Sequence, residues 1–70
     1  MSKINWAKAL IELRSKLNIS QSELASLLMV SYPSVSRWEN NRAIPVKIAR
    51  VRIEKMCKEN DIKLEEALYE

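Results

Sequence analysis

The chain holds no glycine, no histidine and no phenylalanine, and Cys57 is its only thiol among 70 residues. Each absence removes a class of chemistry. Phosphate loops and dinucleotide fingerprints bring backbone onto phosphate at residues lacking a Cβ, so neither is available. One thiol and no imidazole rule out a zinc site, a Cys-His nucleophile and an internal disulfide. Carboxylates remain as catalytic groups, but a short helical chain offers little cleft in which to desolvate them. The expectation is a non-enzyme with no cofactor and no metal. Nor does any apolar run approach the ~18 residues of a membrane span, and the opening MSKINWAKAL has no signal-peptide core. A lone, half-buried Cys57 fits a reducing compartment, so the reading is a cytoplasmic protein with no membrane partner.

What is present is charge, unevenly spread. Residues 1–52 carry nine basic and three acidic side chains, a balance of +6, whereas residues 53–70 carry three basic and six acidic, a balance of −3. A basic body followed by an acidic tail points to a polyanion as the partner of the body. At this length the chain makes one small domain, residues 1–70, burying only about 60% of its unfolded surface. No repeat, linker or low-complexity run divides it.

The periodicity is helical throughout. Trp6, Leu10, Leu13 and Leu17 form one stripe, with Asn5 placed to cap its start and Asn18 its end. Ser20-Gln21-Ser22-Glu23 spells a capping box, in which hydroxyl and carboxylate each satisfy an end amide. Leu24, Ala25, Leu27 and Leu28 follow as an apolar face. Ser31 is a second N-cap, and Pro33 fits a first turn, where its missing N–H costs nothing. Val35 and Trp38 lie three apart and face inward together. After the polar stop at Glu39-Asn40-Asn41-Arg42, Ile44-Pro45 demands an extended residue. A further helix runs from about Val46 to Asn60. Its apolar residues Ile48, Val51, Ile53, Met56 and Cys57 do not form one stripe, so part of it is left to face a partner or the tail. Asp61 reads as the N-cap of a final short helix carrying Ile62, Leu64, Leu68 and Tyr69. The fold class is therefore all-α, a small bundle of four to five short helices.

Two short helices, a brief break and a capped second helix outline a helix-turn-helix at about residues 20–40. Leu10-x-x-Leu13-Arg14 and the run SQSELASLLMVSYPSVSRWENNR from Ser20 to Arg42 resemble the phage-repressor (Cro and C1 type, XRE-like) helix-turn-helix family. The resemblance covers roughly residues 8–58. The matching positions include Ser20-Gln21, Leu24-Ala25, Val30-Ser31 and Val35-Ser36-Arg37-Trp38-Glu39-Asn40. It implies a lambda-repressor-like domain that binds double-stranded DNA by sequence, as a small transcriptional regulator or repressor.

By the resemblance, Tyr32, Pro33, Ser34 and Arg37 reach base edges in the major groove. Arg37 suits a bidentate pairing with guanine, whereas Pro33 has only apolar contact to offer. Gln21, Ser31, Arg42 and Lys47 face phosphates, which orient the protein without reading sequence. Arg50 and Arg52 extend the same basic stretch. Glu39 would oppose DNA if exposed; the family pairs its position with the arginine at Arg14, which implies an inward Arg14–Glu39 ion pair. The chain also departs from the family, which carries glycine where Asn18, Met29 and Asn41 stand. Asparagine tolerates a left-handed backbone, but a left-handed methionine costs about 1–2 kcal/mol.

The tail leaves alternatives open. Ile62, Leu64, Leu68 and Tyr69 either cover the body's own core, form a homodimer surface, or dock a protein partner. Beside the regulator stand two other readings: an antitoxin-like protein-interaction module on the same fold, and a DNA-tethering piece of a larger complex.

Overall fold

The helices begin where side chains accept the free end amides. Asn5 Oδ1 accepts from the Lys8 amide at 3.1 Å. Ser20 Oγ accepts from the Glu23 amide at 3.0 Å while Glu23 Oε1 accepts from the Ser20 amide at 3.0 Å, completing the capping box. Ser31 Oγ accepts from the Ser34 amide at 3.3 Å. In the computed structural model, which describes residues 4–66, these caps start three helices. They are α1 (Trp6–Leu17), α2 (Gln21–Leu28) and α3 (Tyr32–Glu39). A fourth, α4 (Lys47–Glu59), starts after Pro45 without a side-chain cap.

The helix ends share one device. Asn18, Met29, Asn41 and Asp61 all take left-handed backbone, at φ 56°, 59°, 58° and 57°. At each end two amides turn back onto the last carbonyls in the Schellman pattern. For α1 these are Asn18 N–H to Ser15 O and Ile19 N–H to Arg14 O; for α2, Met29 to Ser26 and Val30 to Ala25. For α3 they are Asn41 to Trp38 and Arg42 to Arg37; for α4, Asp61 to Lys58 and Ile62 to Cys57. The residue after the left-handed one is apolar at three of the four ends, and Ile19, Val30 and Ile62 pack against the core.

That pattern corrects the reading of Asp61. Its left-handed backbone closes α4 instead of capping a fifth helix. Residues 62–65 then run as an irregular strap, and Glu66 pairs antiparallel with Ile4. The Asn5 amide donates to Glu65 O at 2.7 Å, and Lys8 Nζ lies 2.7 Å from Glu65 Oε2. Ile62 and Leu64 lie half-buried on the core. Leu68 and Tyr69, assigned to the same final helix, lie outside the described residues.

The core is one cluster drawn from every helix: Trp6, Leu10 and Leu13 from α1; Leu24, Ala25 and Leu28 from α2; Val35 and Trp38 from α3; Ala49, Ile53 and Cys57 from α4. Each fully buried Leu, Val or Ile contributes about 1.5–3 kcal/mol. α3 packs against both α1 and α2, and α4 covers the other side of the same pair. Val35 has no exposed surface and Trp38 is 5% exposed, so the back of α3 is anchored and its opposite face is held out to solvent.

Candidate nucleic-acid interface

Three residue types hold α3 in place. Arg14 Nε donates to Glu39 Oε2 at 2.7 Å and Arg14 Nη2 to Glu39 Oε1 at 2.8 Å, a bidentate pair joining α1 to the end of α3. Gln21 Nε2 donates to the same Glu39 Oε1 at 2.9 Å, bringing the start of α2 into the cluster. The Glu39 side chain is only 5% exposed. Burial alone would raise its pKa, but the bonds from Arg14 and Gln21 outweigh burial and hold the carboxyl below its ordinary value. Glu39 is thereby withdrawn from the surface on which an exposed carboxylate would repel phosphate.

The outward face of α3 is set by the same packing. Tyr32, Pro33 and Arg37 are exposed, and Ser34 is half-buried. The Ser31 and Ser34 hydroxyls lie 2.8 Å apart and share a hydrogen bond, so both are engaged at the helix start. Among the described residues the guanidinium of Arg37 has no hydrogen-bond or ion-pair partner, and neither do the side chains of Arg42 and Lys47, both exposed. Arg37 is one turn on from Pro33 along α3, so the two share a face.

Gln21 differs from the sequence expectation in one respect. Its side-chain amide is spent on Glu39, and what it leaves at the start of α2 is backbone. The capping box takes the third amide, and the amides of Gln21 and Ser22 have no intrahelical partner, as at any helix start. Those two donors lie at the positive end of the helix dipole.

Arg52 is the residue whose role sequence reasoning missed. Its Nη1 donates to the carbonyl of Leu28 at 2.9 Å, so it ties α4 to the C-terminal end of α2. The available signal was electrostatic: a helix ending without any basic residue in its last turn favours a cation from elsewhere. Arg50 is half-buried, whereas Lys47 is exposed at the start of α4. Cys57 is free and buried, and burial, followed by the nearby Glu12 and Glu54 charges, raises its thiol pKa.

The described residues thus present a helix with an anchored back, an outward face carrying a free arginine, and flanking cations on the adjoining loop and helix. No helix among them is long and apolar enough to cross a membrane. Comparison with curated proteins and with solved structures finds no match. A family model described as helix-turn-helix matches residues 10–66, which takes in all of α2, α3 and α4 and most of α1. The chain belongs to the Cro/C1-type helix-turn-helix family of DNA-binding domains.

Proposed function

We propose that this protein is a small transcriptional regulator that binds double-stranded DNA by sequence, with α3 lying in the major groove. The observation that carries the reading is the unpartnered, exposed Arg37 on the face of α3 opposite buried Val35 and Trp38. Tyr32 and Pro33 share that exposed side, Tyr32 offering a hydroxyl and Pro33 an apolar surface. Ser34 reads a base only by giving up or sharing its bond to Ser31. Arg42 and Lys47, with the Ser31 hydroxyl and the free amides at the start of α2, meet phosphates. Gln21 takes part through its backbone, because Glu39 holds its side chain. Arg14 and Glu39 act by orienting α3. The protein operates as a repressor of the genes whose promoters it covers, and two copies occupy a two-fold symmetric site, since a single small module buries too little DNA for tight specific binding.

A protein-interaction role for the tail has less support. Ile62 and Leu64, two of the four apolar residues it would use, are committed to the chain's own core.

The test is fluorescence anisotropy of a random duplex pool, titrated at several salt concentrations. Four to six phosphate contacts per copy give a log–log salt slope of about −4 to −5. Sites selected from the pool then serve for Arg37→Ala, which should relax preference at one base position by about 1–3 kcal/mol with the melting temperature unchanged. Absence of binding at low salt would overturn the reading. A large loss of folding in Arg37→Ala would reassign that residue to structure.

A further inference from the structure

The two ends of α3 are held by different means. Its C-terminal end is fixed by Glu39, which accepts from Arg14 of α1 and Gln21 of α2. Its N-terminal end carries Tyr32, Pro33 and Ser34 and is reached from α2 through the turn at Met29. That turn is left-handed at φ 59°, and the Met29 side chain is 75% exposed, so it does not hold the turn in place. Val30 and Val35 pack on the core and set how deep the chain lies there. Apolar packing has no preferred direction, however, and a hydrogen bond does.

Among the described residues one directed side-chain bond from another element meets this entrance. Arg52 Nη1 donates to the Leu28 carbonyl at 2.9 Å, one residue before Met29. The amides of Met29 and Val30 turn back to Ser26 and Ala25, so neither reaches that carbonyl. Arg52 is half-buried on α4, beside the fully buried Ile53. It is also the only side-chain hydrogen bond or ion pair between α4 and the α2–α3 unit among the described residues. α3 and α4 themselves have little direct contact. The bond from Arg52 thus does at the entrance of α3 what Arg14 and Gln21 do at its far end.

The tolerance of base reading makes that position matter. A hydrogen bond of good quality spans a donor–acceptor window of only about 0.5 Å. A displacement of about 1 Å at the entrance of a helix roughly 12 Å long breaks such bonds to base edges. Phosphates met by long lysine and arginine stems accommodate the same displacement. Losing the tie therefore costs discrimination between sequences and leaves affinity for DNA of any sequence in place.

We propose that Arg52 is a positioning residue for base reading, which fixes the entrance of α3 through the Leu28 carbonyl without touching DNA; the proposal rests on the DNA-binding reading above. The parent chain, Arg52→Met, Arg52→Lys and Ile53→Val are each titrated onto a duplex carrying the selected site and onto an unrelated duplex. Arg52→Met should lower the ratio of the two affinities about tenfold, as one mismatched base pair does. Its affinity for the unrelated duplex and its salt slope should match the parent. Arg52→Lys keeps a cationic donor and should recover most of the ratio. Ile53→Val removes a buried methyl at the next position of α4, so it should lower the melting temperature and keep the parent ratio. If Arg52→Met fails to fold, Arg52→Gln decides by the same ratio. An unchanged ratio in the Arg52 variant overturns the positioning role while the DNA reading stands. So does an equal fall in Ile53→Val, which would assign the effect to general loosening of the fold. A salt slope shallower by about 1 overturns it by placing Arg52 on a phosphate. Failure of the parent to bind either duplex, or equal binding to both, overturns the sequence-specific reading itself.

Discussion

Met29 holds a left-handed backbone at φ 59° with 75% of its residue surface in solvent, so packing does not offset the strain. A left-handed non-glycine residue costs about 1–2 kcal/mol, and glycine returns roughly 0.5–1 kcal/mol of that as unfolded-state entropy. Met29→Gly should therefore raise the melting temperature by roughly 4 °C for a domain of this size. A fall on thermal denaturation would show that the Met29 side chain contributes contacts that its exposure hides. The same argument predicts a smaller gain at Asn18 and Asn41, whose residue type tolerates the conformation. These left-handed positions were legible at 18, 29 and 41, where the motif calls for glycine. Position 61 was not, because aspartate before an apolar run also spells an N-cap, and only the two amides folded back onto Lys58 and Cys57 decide between the readings.

Glu39 predicts a pH dependence at the same scale. Its folded pKa is held below the ordinary 4.5, so the stability it contributes is fully present above that value. It is lost as pH falls through the folded pKa. Melting temperatures measured from pH 7 downward should fall below about pH 4.5 in the parent protein by more than in Glu39→Gln. Parallel curves would mean that other carboxylates dominate acid unfolding. At neutral pH the Gln variant should be less stable by about 2 kcal/mol, since hydrogen bonds to charged groups contribute about 1.5–3 kcal/mol.

Between elements, the least obvious connection is the one from α4 to α2 through Arg52. Its bond to the Leu28 carbonyl meets the negative end of α2 immediately before the left-handed turn at Met29. Arg52→Met keeps the aliphatic length and removes the donor, and should lower stability by about 1–2 kcal/mol. Because the guanidinium is turned onto the protein, the salt slope of DNA binding should not change. A slope shallower by about 1 would show that Arg52 contacts phosphate as well. Sequence placed α1, α2 and α3 closely, because each starts at a side-chain cap that announces itself. What it missed were contacts made across elements, Arg52 to a backbone carbonyl and Gln21 to Glu39, while the packing of Ile62 and Leu64 on the core was one of the alternatives it left open. A carbonyl has no sequence signature, and a glutamine at a helix start reads equally as inward or outward. The exposure of Ile48 and Val51 on α4 was half legible, in that the apolar residues of that helix failed to make one stripe.

At the scale of the whole molecule, fold and binding should separate with salt. The described fold rests on an apolar cluster, and its exposed Lys8–Glu65 pair contributes little, as surface pairs do. Raising salt from 50 to 200 mM should leave the melting temperature within a degree or two. The same change should weaken DNA binding several hundredfold. Parallel losses of both would mean that the basic body is held together by charge.

The pairing of Ile4 with Glu66 has a topological consequence. The described backbone is a nicked ring, and the order in which its helices are threaded is independent of how they pack. A short linker across the nick, with new ends opened between the exposed Ala43 and Ile44, makes a circular permutant that begins at α4 and ends at α3. It keeps the α2–α3 unit unbroken, every cap in place, and the anchored back of α3 intact, and it should fold and bind as the parent does.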